Sequence, residues 1–136
     1  MSKFFIEKSV EISAPVSKVW RVFTDPALTR HMGGEYVSKW EVGSSFGWKG
    51  VNGKMVTSGT LMKIEPEKLL QHNLSNSVGS INSVITYEFN ENNRVTTLHA
   101  REDFVEPIPD KEYADVAEGW EAALLAVKEI AEKQAK

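Results

Sequence analysis

Residues 110–135 carry one unbroken apolar stripe. Tyr113, Val116, Ala117, Trp120, Ala123, Leu124, Val127, Ile130 and Ala131 recur at i, i+3 and i+4. That spacing predicts an amphipathic helix. Asp110 reads as its N-cap and the segment runs to about Ala135. Glu112, Asp115, Glu118 and Glu121 lead on the opposite face, and Lys128 and Lys133 trail, which suits the helix dipole. Twenty-five helical residues span about 37 Å. A stripe that long must lie along something extended, and the segments before it are strands.

Phe4 to Ile12 alternates in part and reads as a strand, closed by Ser13-Ala14-Pro15. Val16, Val19, Trp20 and Phe23 share one face of a short helix that Pro15 can open and Asp25-Pro26 breaks. A second short helix follows to His31, ended by Gly33-Gly34. Strands are then predicted at Tyr36 to Trp40, Ser45 to Gly50, Lys54 to Glu65, Leu69 to Leu74, Ser83 to Asn90 and Arg94 to Asp103. Turns separate them at Glu41-Val42-Gly43-Ser44, Asn52-Gly53, Pro66-Glu67 and Glu91-Asn92-Asn93. The long strand from Lys54 loses its alternation near Gly59, which predicts a bulge or bend. Ser75 to Asn82 reads as a loop, and Phe104 to Pro109 as an irregular connector. Short hairpins imply antiparallel pairing. The whole is one α+β domain over residues 1–136. A curved antiparallel sheet of about seven strands wraps the long C-terminal helix, with two short helices after the first strand. A sheet so curled leaves room beneath its helix for a ligand.

Several function classes drop out. The chain has no Cys, so disulfides, thiol nucleophiles and Cys-ligated metals are excluded. Net charge is −3, which gives no reason to expect nucleic acid. No apolar run reaches the length of a membrane span, and the N-terminus lacks the apolar core of an export signal. The expectation is a cytoplasmic protein with no membrane insertion. Asn73-Leu74-Ser75 fits the glycosylation sequon and is read as coincidence. No phosphate loop, dinucleotide fingerprint or nucleophile elbow occurs, so no cofactor is implied.

Certain segments resemble a known family. Ile12-Ser13-Ala14-Pro15, Val19-Trp20 and Phe23-Thr24-Asp25-Pro26 are similar to the opening of the START-like (SRPBCC) superfamily. Glu41-Val42-Gly43-Ser44-Ser45-Phe46 resembles its turn between the second and third strands, with Ser44 in place of a second glycine. Gly119-Trp120 with Leu124 and Leu125 resembles its last-helix signature. In this combination and order they resemble the subfamily related to the activator of heat-shock-protein-90 ATPase. The resemblance implies a helix-grip fold with a hydrophobic cavity between sheet and helix. Members include carriers, binders and cyclases, so the fold does not fix the function. The co-chaperones that give the subfamily its name carry a further N-terminal domain not present in these 136 residues.

The residues offer three chemistries. Phe46, Trp48, Tyr87 and Phe89 on strands, with Val116 and Trp120 on the helix, either fill the core or line a cavity for a hydrophobic small molecule. Trp40, where a strand meets a turn, has no assigned place. Glu102, Asp103 and Glu106 cluster where the last strand leaves the sheet, as a solvated edge or as a general acid or base. His31, His72 and His99 have no metal-motif spacing and read as surface or satisfied strand histidines, and no metal is expected. The expected partner is a hydrophobic small molecule held beneath the helix. The alternatives are a chaperone-interaction module and an enzyme using the same cavity, with Glu102, His99 or His72 as the inward ionisable group. Gly119, mid-helix, suggests close approach of a ligand or the sheet. The inner face of the last strand is open between Thr96, Leu98, Ala100 and Val95, Thr97, His99.

Overall fold

The computed structural model describes residues 2–75 and 81–135. The expected order of elements is present. Strand β1 (Ser2–Ile12) leads to helices α1 (Val16–Thr24) and α2 (Pro26–Thr29), then a 3-10 turn at Arg30–Met32. Strands β2 (Gly34–Ser38), β3 (Phe46–Gly50), β4 (Met55–Thr57), β5 (Leu61–Glu65), β6 (Leu69–Ser75), β7 (Ile81–Asn92) and β8 (Val95–Pro109) follow, and helix α3 (Asp110–Gln134) ends the fold. One antiparallel sheet has the order β1-β8-β7-β6-β5, and a smaller one the order β2-β3-β4.

The two sheets meet where the alternation slips. The single strand expected over 54–65 is two strands, β4 and β5, divided around Gly59. A Cβ at Gly59 would stand 1.9 Å from the carbonyl oxygen of Asn73, so only glycine lets the chain pass so close over β6. The flanks are then stitched on both sides. Phe46 N–H donates to the Gly59 carbonyl (3.0 Å), Asn73 N–H to Thr60 (3.1 Å) and Ser75 N–H to Ser58 (2.8 Å). Asn73 is buried, and its side-chain oxygen accepts from Thr60 N–H at 2.9 Å. A residue so enclosed cannot carry a glycan, which supports reading its sequon as coincidence.

Thr96, Leu98 and Ala100 form the inner face of β8 and are almost fully buried. Their competitors Val95 and Thr97 are exposed. The polar member is accommodated because the Thr96 hydroxyl donates to the Ala14 carbonyl at 2.8 Å. Ile85, Tyr87 and Phe89 are inward on β7, as their alternation predicts.

Three expectations are corrected. The segment 104–109 is extended and belongs to β8. Its pairing with β1 jumps, however, from Phe5 opposite Asp103 to Lys3 opposite Ile108. Pro107 has no N–H to give, and the ladder bulges around it before pairing resumes at Ile108 and Pro109. The N-cap of α3 is Pro109, and Asp110 is the first helical residue. In the last hairpin Asn93 and Arg94 both take positive φ (53° and 65°), so Arg94 is in the turn and the strand starts at Val95. Within the expected loop Ser75 to Asn82, residues 76–80 lie outside the described residues.

Helix α3 packs on β1, β8 and α1. Leu124, Val127 and Ala131 are buried with Ile12, Ala14, Val19, Val22, Phe23 and Leu98. Burying a Leu or Val fully stabilises by about 1.5–3 kcal/mol. No residue of α3 before Leu124 is fully buried. The stripe is continuous, but only its C-terminal half is sealed against the sheet.

Candidate functional site

Beneath the N-terminal half of α3 lies an open cleft of about 680 Å³. Among the described residues, Leu74 and Ser83 of the sheet, Glu102 and the bulged Phe104–Ile108 stretch of β8, and Val116 of α3 face it. The β8 bulge loops out residues 104–107 before the strand pairs with β1 again at Ile108 and Pro109. The volume falls within the usual range for small-molecule sites.

Glu102 continues the inner face of Thr96, Leu98 and Ala100 by the two-residue repeat of a strand. It is half-buried at the cleft wall. Its Oε2 accepts from the Ser83 hydroxyl at 2.7 Å. Its Oε1 accepts from the Trp120 indole N–H at 2.9 Å. Sheet and helix are thus joined across the cleft by one carboxylate with spare lone pairs. Of the acidic cluster, Glu106 also lines the cleft. Asp103 points to the other face and holds Arg101.

Behind this wall the interior is aromatic. Phe46 stacks on the His72 ring at 4.2 Å, Tyr87 meets Trp120 edge-on at 5.7 Å, and Phe89 packs against Trp20 and Phe23. Trp40, with φ at 58°, folds back onto Phe46 at 5.5 Å. The phenols of Tyr36 and Tyr87 are hydrogen bonded to one another, and burial raises both pKa values. They stay protonated.

His72 corrects its sequence reading, being neither a surface residue nor fully satisfied. It is 4% exposed. Its Nδ1 lies 3.1 Å from the Asn73 carbonyl oxygen, which can only accept, so Nδ1 carries the proton. Its Nε2 is buried with no partner among the described residues. Burial lowers its pKa to about 4, against a smaller opposing effect of the Asn73 carbonyl. His31 is exposed. His99 is half-exposed with Nε2 4.0 Å from Glu7, so it is not an inward group. No cluster of potential metal ligands occurs among the described residues.

The model for the Activator of Hsp90 ATPase homolog 1-like protein family matches residues 13–132. The chain belongs to this family. No curated protein sequence matches it. Among solved structures, CalU16 from Micromonospora echinospora is 22% identical with a TM-score of 0.76, over 93% of this chain and 75% of that one. Protein MLL2253 from Mesorhizobium loti is 20% identical with a TM-score of 0.79, over 95% and 97%. The Aha1 dimer from Colwellia psychrerythraea is 18% identical with a TM-score of 0.77, over 94% and 96%. These likenesses establish the helix-grip fold.

Within that fold the six aromatic and apolar candidates separate. Val116 lines the cleft. Trp120 reaches its wall through Glu102. Trp48 lines a second hollow of about 370 Å³ with Met32, Tyr36, Ala122, Ala123 and Ala126. Phe46, Tyr87 and Phe89 are buried in the core. Sequence reasoning missed Ser83 as the second partner of Glu102, a contact between strands that no local pattern encodes. Gly119 also departs from expectation. A Cβ there would meet nothing within 4 Å among the described residues, so close approach of the sheet does not account for it.

Proposed function

We propose that the protein binds a hydrophobic small molecule in the cleft between the sheet and the N-terminal half of α3. The observation that carries the reading is Glu102, a carboxylate held by Ser83 and Trp120 at the wall of a 680 Å³ cleft lined by both apolar and polar side chains. A concave site of this size with polar groups fixed in its wall suits a small molecule. In this reading Val116 and Trp120 touch the ligand. Phe46, Tyr87 and Phe89 stand behind the wall and keep it rigid, and Trp48 belongs to the second hollow. No helix among the described residues is long and apolar enough to cross a membrane, and the proposed setting is the cytoplasm. A chaperone-interaction role follows from the family's description and has no comparable local geometry behind it. Acid–base catalysis in the same cleft would use Glu102.

Native mass spectrometry of the protein purified from its own host tests the binding reading. An added mass of a few hundred daltons is expected, and Val116→Trp, which narrows the cleft beneath α3, should reduce it. An adduct unaffected by Val116→Trp would overturn this location. A bare protein that measurably stimulates a chaperone ATPase would replace the binding reading with the chaperone one.

A further inference from the structure

The small sheet β2-β3-β4 carries a surface of its own, apart from what the cleft holds. The hairpin joining β3 to β4 exposes three large apolar side chains: Val51 (84% exposed), Met55 (51%) and Val56 (67%). Single exposed apolar residues are ordinary, but a group gathered on one turn marks a contact surface. Val51 stands beside the Asn52-Gly53 turn, where the fold leaves it uncovered. Met55 lies over Gly47, where a Cβ would run into its methyl group. Val37 pairs with Gly47 and is also exposed, so it extends the apolar patch across the outer face of the sheet.

Positive charge gathers on the same element. The chain as a whole has a net charge of −3. Residues 30–57 instead hold the cations Arg30, Lys39, Lys49 and Lys54 against two carboxylates, Glu35 and Glu41. Arg30 and Lys49 converge on one oxygen of Glu35, at 3.4 and 3.8 Å, so a single carboxylate is shared between two cations. Lys39 and Lys54 are exposed and form no ion pair among the described residues. Beside Val51, Arg30 and Lys49 border a hollow of about 340 Å³ with the backbone of Gly50 and Gly53. That hollow has room for a phosphate group. The carboxylates of the cleft, Glu102, Glu106 and Glu112, belong to its β8 and α3 side, and the hairpin contributes Val56 and Thr57.

We propose that this hairpin docks the protein on an anionic phospholipid surface. An apolar tip backed by cations is how a peripheral protein enters the headgroup layer, the side chain buried and the cations facing phosphates. A protruding tip offers a folded acidic partner little area, whereas a fluid headgroup layer closes around it. The contact is with the surface and involves no span. Val56 also lines the cleft, so a docked hairpin sets that wall of the cleft at the lipid.

Flotation with vesicles of phosphatidylcholine alone, and of phosphatidylcholine with a third phosphatidylglycerol, tests the proposal. The protein should float with the anionic vesicles several-fold more than with the neutral ones, and high salt should release it. Val51→Asp, at an exposed turn position, should remove most of the binding and leave Tm unchanged. Lys39→Gln/Lys54→Gln should weaken it several-fold. No flotation with anionic vesicles, equal flotation with both kinds, or flotation indifferent to Val51→Asp would overturn the proposal. Each of those results leaves the cleft reading standing, because that reading is judged on the adduct and on Val116→Trp.

Discussion

The two halves of α3 carry the same apolar stripe and meet different surroundings. From Leu124 onward the stripe is buried against α1, β1 and β8. Before Leu124 it is half-covered, and Val116 stands over a cleft whose wall residue Glu102 holds Trp120. The difference originates in β8, not in the helix. The bulge at 104–107 puts four residues between the pairs Phe5–Asp103 and Lys3–Ile108, and these extra residues line the cleft beneath the start of the helix. A uniform amphipathic pattern can therefore supply a core at one end and a binding surface at the other. Where the partner surface approaches decides which.

The largest contrast is expected from truncation at each end. Leu124→Ala should cost about 3–4 kcal/mol, as a cavity in a sealed core does. Val116→Ala should cost less than about 1 kcal/mol. Urea denaturation measures both, and equal losses would break the distinction between the halves.

His72, at the boundary, gives a pH test. Its folded pKa of about 4 lies below the ordinary value of 6.5. The unfolded chain therefore takes up the proton first, and stability falls as pH drops from 6.5 towards 4. The loss across that window is about 3 kcal/mol. His72→Phe should remove that part of the slope. An unchanged slope in the variant would show that His72 is not the buried base described here.

A finer test concerns the tie across the cleft. Trp120→Phe removes the indole donor to Glu102 and should cost about 1 kcal/mol. A double-mutant cycle with Glu102→Ala, which removes the acceptor, should return a coupling of similar size. Zero coupling would mean that the open end of α3 is not fixed to the sheet by this bond.

The smallest effect is expected at Gly119. With open space around it, Gly119→Ala should stabilise by somewhat under 1 kcal/mol, the helix-propensity difference. Thermal unfolding would register a modest rise in Tm. A fall would reveal a close approach at this position.

The sequence alone determined the order of elements, the long helix and the hairpin turns, because each depends on local spacing. Ile85, Tyr87 and Phe89 declared their inward face by plain alternation, and Gly59 marked the bend before any partner was known. Family membership was legible from short motifs spread over the chain. Tertiary structure alone decided what faces what. Thr96 is buried in preference to Val95 because register with β1 and β7 fixes the inner face, and the Ala14 carbonyl receives its hydroxyl. Glu102 is a cleft residue because Ser83, on the neighbouring strand, and Trp120, on the helix, converge on it. His72 Nε2 has no partner among the described residues because its ring is stacked among Phe46 and Tyr87. Period and propensity act over a few residues. Register, burial and hydrogen bonding across the sheet join residues far apart in the chain, and they exist only once the sheet has closed on its helix.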